Sequence, residues 1–91
     1  MVAEFGVSYT LKFKNFVYVH AAFTTVSGLS FGNDLTMLIE SGVMQHISNM
    51  AFKSDQGATG IFQVSDTNLQ AGGTIPSDHT FVLDFIVPLQ I

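Results

Sequence analysis

Along residues 80–91 every odd position is apolar: Phe81, Leu83, Phe85, Val87, Leu89 and Ile91 alternate with Val82, Asp84, Ile86, Pro88 and Gln90. Successive side chains on a strand point to opposite faces, so this pattern predicts a strand with the odd residues on one side. Covering them is worth on the order of 10 kcal/mol before entropy is subtracted, comparable to the net stability of a small domain. They therefore need cover, from the chain's own core or from a neighbouring subunit. Asp84 and Pro88 mark this strand as an edge, since a charge discourages wrong pairing and proline cannot donate to a ladder.

The beginning of the chain alternates just as cleanly. Phe5, Val7, Tyr9, Leu11 and Phe13 interleave with Glu4, Gly6, Ser8, Thr10, Lys12 and Lys14, which predicts an antiparallel strand with one face on a core and the other in water. Lys14-Asn15 makes a turn into a second strand, Phe16–Val26, rich in β-branched and aromatic residues. Here both faces are apolar, as in a central strand or one that faces a partner. Ser27–Asn33 reads as a loop punctuated by two glycines.

Residues 34–50 fit two descriptions. Leu35, Ile39, Val43 and Ile47 stack at a spacing of four, Leu38 and Met50 widen the stripe, and Asn33 or Asp34 supplies an N-cap, which predicts a helix. The alternative is a hairpin, Leu35–Glu40 and Val43–Ser48, around a Ser41-Gly42 turn. The helix is the preferred reading, because Gln45 would sit among apolar neighbours in the hairpin. Lys53–Gly60 is a polar loop, Ile61–Ser65 a short strand, and Asp66–Asp78 a long connection into the final strand. The expected fold is mainly β: a small antiparallel barrel or sandwich, one domain over residues 1–91, with at most one helix.

Composition adds a constraint on the surface. Hydrophobic residues make up 47% of the 91 and charged residues only 11%, against roughly 25% charged in an average soluble chain. A domain of this length buries only roughly 60% of its unfolded surface. With no cysteine, neither disulfides nor thiolate metal sites can help it. Association with other copies is the natural inference. The net charge is −4, with Lys12, Lys14 and Lys53 the only cations besides histidine, so no basic patch exists to drive nucleic-acid binding. The N-terminus lacks the form of a secretory signal, and the longest near-apolar stretch, Phe16–Phe23, is far short of the roughly 20 residues of a membrane-spanning helix. The expected setting is a virion or extracellular assembly whose subunits are made in a cytoplasm.

No arrangement of residues calls for catalysis or a cofactor. His20, His46 and His79 lack the i, i+4 spacing of a helical metal site. Ser77-Asp78-His79 puts three triad residue types side by side, but sequence neighbours do not point at one another as nucleophile, base and orienter must; turn chemistry ahead of the last strand is the better reading. Gly57–Gly60 lacks the Lys-Ser/Thr of a phosphate loop, and Asp55, Asp66 and Asp84 are scattered.

The run Ala22-Phe23-Thr24-Thr25-Val26-Ser27-Gly28-Leu29-Ser30 resembles a segment near the start of the tail-tube proteins of phages and related contractile injection machines. There too it follows a strand of alternating apolar residues. The resemblance implies a β barrel whose copies join edge to edge in stacked rings.

Taken together, these features predict a non-enzymatic structural subunit of a homo-oligomer, tail-tube-like or filamentous, joined by strand-edge pairing and apolar burial. The candidate interface residues are Phe16, Tyr18, His20 and Ala22 on the second strand, and Phe81, Leu83, Phe85, Val87, Leu89 and Ile91 on the last. The alternative is a small β-sandwich module that binds a ligand or glycan through loops Ser27–Asn33 and Asp66–Asp78. A hydrolase built on His79 with Asp78 or Ser77 is a third, minor reading.

Overall fold

A computed structural model describes residues 2–39 and 44–89. Within them the chain forms eight strands and no helix: β1 (Ala3–Phe5), β2 (Tyr9–Lys12), β3 (Phe16–Thr25), β4 (Asp34–Met37), β5 (Ile47–Lys53), β6 (Thr59–Ser65), β7 (Asn68–Ala71) and β8 (Thr80–Pro88). No helix long and apolar enough to cross a membrane occurs among the described residues.

The strands make two antiparallel sheets around one core. In the first, β3 is central: β8 pairs along its whole length on one side, while β1 and β2 share the other. The second runs β4-β7-β6-β5. Strand β3 earns its central place by its alternation. Val17, Val19, Ala21, Phe23 and Thr25 are buried, while Phe16, Tyr18, His20, Ala22 and Thr24 face outward and are half-buried. The inward rings of Phe23, Phe62 and Phe81 meet with centroids 5.3–5.9 Å apart, edge-on for two pairs and stacked for the third. Gly60 lies against them: a Cβ there would come within 2.8 Å of the Phe81 ring, so the aromatic cluster needs a glycine at this point.

The first strand of the sequence pattern is broken in two, and this reverses its faces. Phe5 pairs with Phe23, but Tyr9 pairs with His20, so one extra residue is accommodated across Gly6-Val7-Ser8. A one-residue offset sends every later side chain to the opposite face. Ala3 and Phe5 therefore point to the core side, while Tyr9 and Leu11 point outward beside His20 and Tyr18. The Ser8 hydroxyl fills the gap in the ladder, accepting from the Ala22 N–H at 3.0 Å and donating to the Ala22 carbonyl at 3.2 Å. The expected core face of this segment is thus largely exposed: Val7, Tyr9, Leu11 and Phe13 all stand in water.

The helix over 34–50 is replaced by two strands. Residues 34–37 form β4, paired with β7, and residues 47–50 belong to β5, paired with β6. β4 and β5 are not partners, so the alternative hairpin is not formed either; its Ser41-Gly42 turn lies outside the described residues. The helical spacing comes from register shifts. The ladder slips between Asp34 and Thr36, so that Leu35 and Leu38 are both buried, and again between Ile47 and Met50, where Asn49 has φ 60° and both flanking apolar residues pack on the core. Each slip puts inward residues three apart, as a helix would. The connection Asp66–Asp78 also contains β7, entered through a tight turn at Asp66 (φ 54°) and anchored by fully buried Leu69 and Ala71.

Strand β8 meets the expectation of inward odd residues. Phe81, Leu83 and Val87 are fully buried, Phe85 and Leu89 are partly so, and Val82, Asp84, Ile86 and Pro88 are exposed. Ile91 lies outside the described residues. The strand's second edge is met at both ends by its own chain: Asp55 N–H donates to the Thr80 carbonyl at 2.9 Å, and Gln45 N–H to the Pro88 carbonyl at 2.9 Å. The two sheets are thereby laced together at the β5/β8 seam. They stay apart at the opposite seam, where a cleft of about 430 Å³ separates β4 from the β1/β2 break.

Two leucines in matching alternating patterns test this reversal. Leu83→Ala should cost about 2–5 kcal/mol, as for a fully buried leucine, whereas Leu11→Ala should cost the isolated chain under about 1 kcal/mol, as at a half-exposed site; urea denaturation of dilute protein measures both.

Candidate functional site

The outward face of the β2-β3-β8 sheet concentrates the residues that a core would ordinarily hold. Pairing places Tyr9 and Leu11 beside His20 and Tyr18, and these beside Asp84 and Ile86. Phe13 stacks on Phe16 at 4.7 Å across the Lys14-Asn15 turn, which is closed by a Phe13 N–H to Phe16 carbonyl bond of 2.8 Å. Tyr9, Leu11, Phe13, Val82 and Ile86 keep 46–57% of their surface in water. Scattered apolar side chains on a surface need no explanation, but a contiguous face of them on a charge-poor chain does.

At the centre of this face lies one polar network. Asp84 sits directly across from His20 in the β3–β8 ladder. A single carboxylate oxygen, Oδ1, accepts from the Tyr18 hydroxyl at 2.6 Å and lies 2.7 Å from His20 Nδ1. An ionised carboxylate can only accept, so Nδ1 carries the proton. The Tyr9 ring stacks on the imidazole at 5.2 Å. Hydrogen bonding to the charged form favours it: the Tyr18 bond first, and the His20 bond second, hold the Asp84 carboxyl below its usual range. Tyr18 is pushed up to about 12, first by donating to Asp84, then by desolvation and the nearby negative charge.

The other histidines do different work. His79 Nδ1 is 2.8 Å from the Ser54 hydroxyl, whose oxygen also accepts from the backbone N–H of Gln56 and Ala58 at 3.1 Å each. These bonds tie buried Ser54 into the β5–β6 turn. Ser77 reaches only the Asp78 carboxylate, at 3.4 Å, so Ser77, Asp78 and His79 form no relay. His46 is exposed just ahead of β5. Among the described residues no three His, Asp or Glu side chains converge as metal ligands would.

The candidate interface residues divide by face. Phe16, Tyr18, His20 and Ala22 lie together on the outward face. Phe81, Leu83 and Val87 belong to the chain's own core with no exposed surface, and Phe85 packs beside Phe52, ring centroids 6.3 Å apart. The surface that β8 offers is instead its even residues, Val82, Asp84, Ile86 and Pro88. From the sequence, Asp84 and Pro88 read only as edge markers and Val82 and Ile86 are not assigned to the interface, while Tyr9, Leu11 and Phe13 read as core because the odd residues of the first segment form one apolar stripe.

The two loops considered for ligand binding clip each other. Leu29 and Ile75 exchange backbone hydrogen bonds of 2.9 Å, and both side chains are buried. The cleft at the open seam is lined by neither loop; Phe5, Ser8, Thr10 and His20 stand on one wall and Thr36 and Met37 on the other. Comparison of the chain with protein-family models, curated proteins and solved structures found no match.

Because the Asp84 carboxyl is lowered by folding, its contribution to stability is present above the ordinary carboxylate pKa and is lost as the pH falls through the lowered value. The Tyr18 contribution has the opposite sign: complete below the ordinary tyrosine pKa, and lost as the pH rises through about 12. Tyr18→Phe removes the stronger of the two bonds to Asp84, and carbon-13 NMR titration of the carboxyl should show it moving up toward the ordinary range. The acid limb of the stability curve should shift up in pH with it.

Proposed function

We propose that this chain is a non-enzymatic structural subunit that assembles with copies of itself. The observation that supports the reading best is the outward face of the β2-β3-β8 sheet, where Tyr9, Leu11, Phe13, Val82 and Ile86 stand about half in water around a polar network already satisfied within the chain. A chain with 11% charged residues has few charged side chains with which to flank and solvate that face.

A second means of joining copies supports the same reading. On β2 the bond from Phe13 N–H to the Phe16 carbonyl and the register of Thr10 on Val19 leave the backbone groups of Thr10 and Lys12 pointing away from β3. Among the described residues no strand pairs with this edge along the cleft, nor with the outer edge of β4 on the other side. Unpaired edges of this kind template further strands. Burial of the apolar face, together with pairing at these edges, is the mechanism we assign to assembly. A virion component, tail-tube-like, or a filament is the finer form of the proposal, carried by the sequence resemblance over Ala22–Ser30.

Size-exclusion chromatography with light scattering tests the reading at protein concentrations in the tens of micromolar. Assembly predicts a mass well above that of one 9.9 kDa chain, rising with concentration. A stable monomer across the range would overturn it.

A further inference from the structure

We infer that two copies pack outward face to outward face about a two-fold axis, burying the apolar residues that surround the Tyr18, His20 and Asp84 network. The inference rests on the assembly reading and names the surface and partner that reading leaves open.

Area is the first argument for a second copy. With aromatic side chains presenting some 150–250 Å² each, the half-exposed residues of this face hold roughly 600 Å² of apolar surface, at the upper limit for a monomer's largest patch. Two such faces together reach roughly 1,200 Å² before any polar rim is counted, which is where specific, stable interfaces begin. Sheets that meet face to face interdigitate at about 10 Å with their strands nearly aligned. Leu11, Phe13, Ile86 and Val82 have the size and the exposure to do so.

Charge is the second argument. A foreign partner selected by electrostatics would need an unsatisfied charge to read, and the apolar part of this face has none. Its one carboxylate, Asp84, takes both of its close partners from its own chain. These hydrogen bonds travel with the chain, so a second copy need supply no donor to Asp84. Lys12 pairs with Val17 and so belongs to the opposite side of the sheet, and Glu4 lies at the far end beside Thr24. Around the network this face is apolar between Tyr9, Leu11, Val82 and Ile86, and a copy of itself matches it. A two-fold contact of this kind closes at two subunits, and it leaves the open β2 and β4 edges available for further growth.

Sedimentation velocity on the full chain separates the possibilities, with Leu11→Lys/Ile86→Lys altering the face and Thr10→Pro blocking the open edge. The wild type should contain a dimer. The double lysine variant should raise its dissociation constant at least tenfold, while Thr10→Pro keeps the dimer and loses only larger species. If the lysine variant assembles as the wild type does, the face-to-face geometry is wrong although assembly stands. A wild type that is monomeric throughout overturns both. Ile86→Ser, which adds no charge, should also weaken the dimer, and it keeps the test open if circular dichroism shows the double variant to be misfolded; unchanged dimerisation of a folded Ile86→Ser would then overturn the geometry.

Discussion

The pairing of β3 with β8, nine consecutive residues on each strand in unbroken register, is the constraint from which both the core and the surface of this protein follow. Its inward side supplies Val17, Val19, Ala21, Phe23, Phe81, Leu83 and Val87 to the core. Its outward side sets His20 against Asp84 and brings the Tyr18 hydroxyl onto the same carboxylate oxygen. A slip of one residue would exchange the two sets, exposing seven core side chains and burying the network without cover. The aromatic cluster of Phe23, Phe62 and Phe81 opposes such a slip, because Gly60 leaves room for those rings and for nothing more.

Where strands run unbroken, alternation in the sequence reads correctly. The long second strand and the final strand have the expected limits to within a few residues, and the final strand faces inward with its odd side chains. Where the ladder slips, the same rule misleads. The extra residue at Gly6-Val7-Ser8 turns an apparent core stripe outward, and the slips in β4 and β5 put buried residues three apart, imitating a helix. Strand β7 is hard to see in the sequence because Asn68–Ala71 is four residues long with only Leu69 and Ala71 to carry its burial. For the first segment and for β4 the decisive partner is distant in sequence, Ala22 for Ser8 and β7 for β4, and no local pattern encodes it.

The candidate site was half legible for the same reason. A second strand apolar on both faces is expected to be central or to face a partner, and Phe16, Tyr18, His20 and Ala22 lie together on its outward face. The other half, Tyr9, Leu11, Val82 and Ile86, was hidden by the face reversal and by attention to the odd residues of β8. Asp84 was noticed only as a charge on an edge. That it takes hydrogen bonds from Tyr18 and His20 depends on a register spanning more than sixty residues of chain. This cross-strand network changes the meaning of the face, since it lets a carboxylate sit among apolar neighbours without requiring a partner from outside.

The central claim is that the outward face of the β2-β3-β8 sheet is the surface through which this protein meets its copies. Cross-saturation NMR tests it most directly, in mixtures of deuterated, methyl-labelled chains with unlabelled ones. An outward-face interface attenuates the Leu11, Val82 and Ile86 methyl signals and spares those of inward Leu83 and Val87. Attenuation confined to Val7 and Met37 at the open seam, or its absence everywhere, would contradict it.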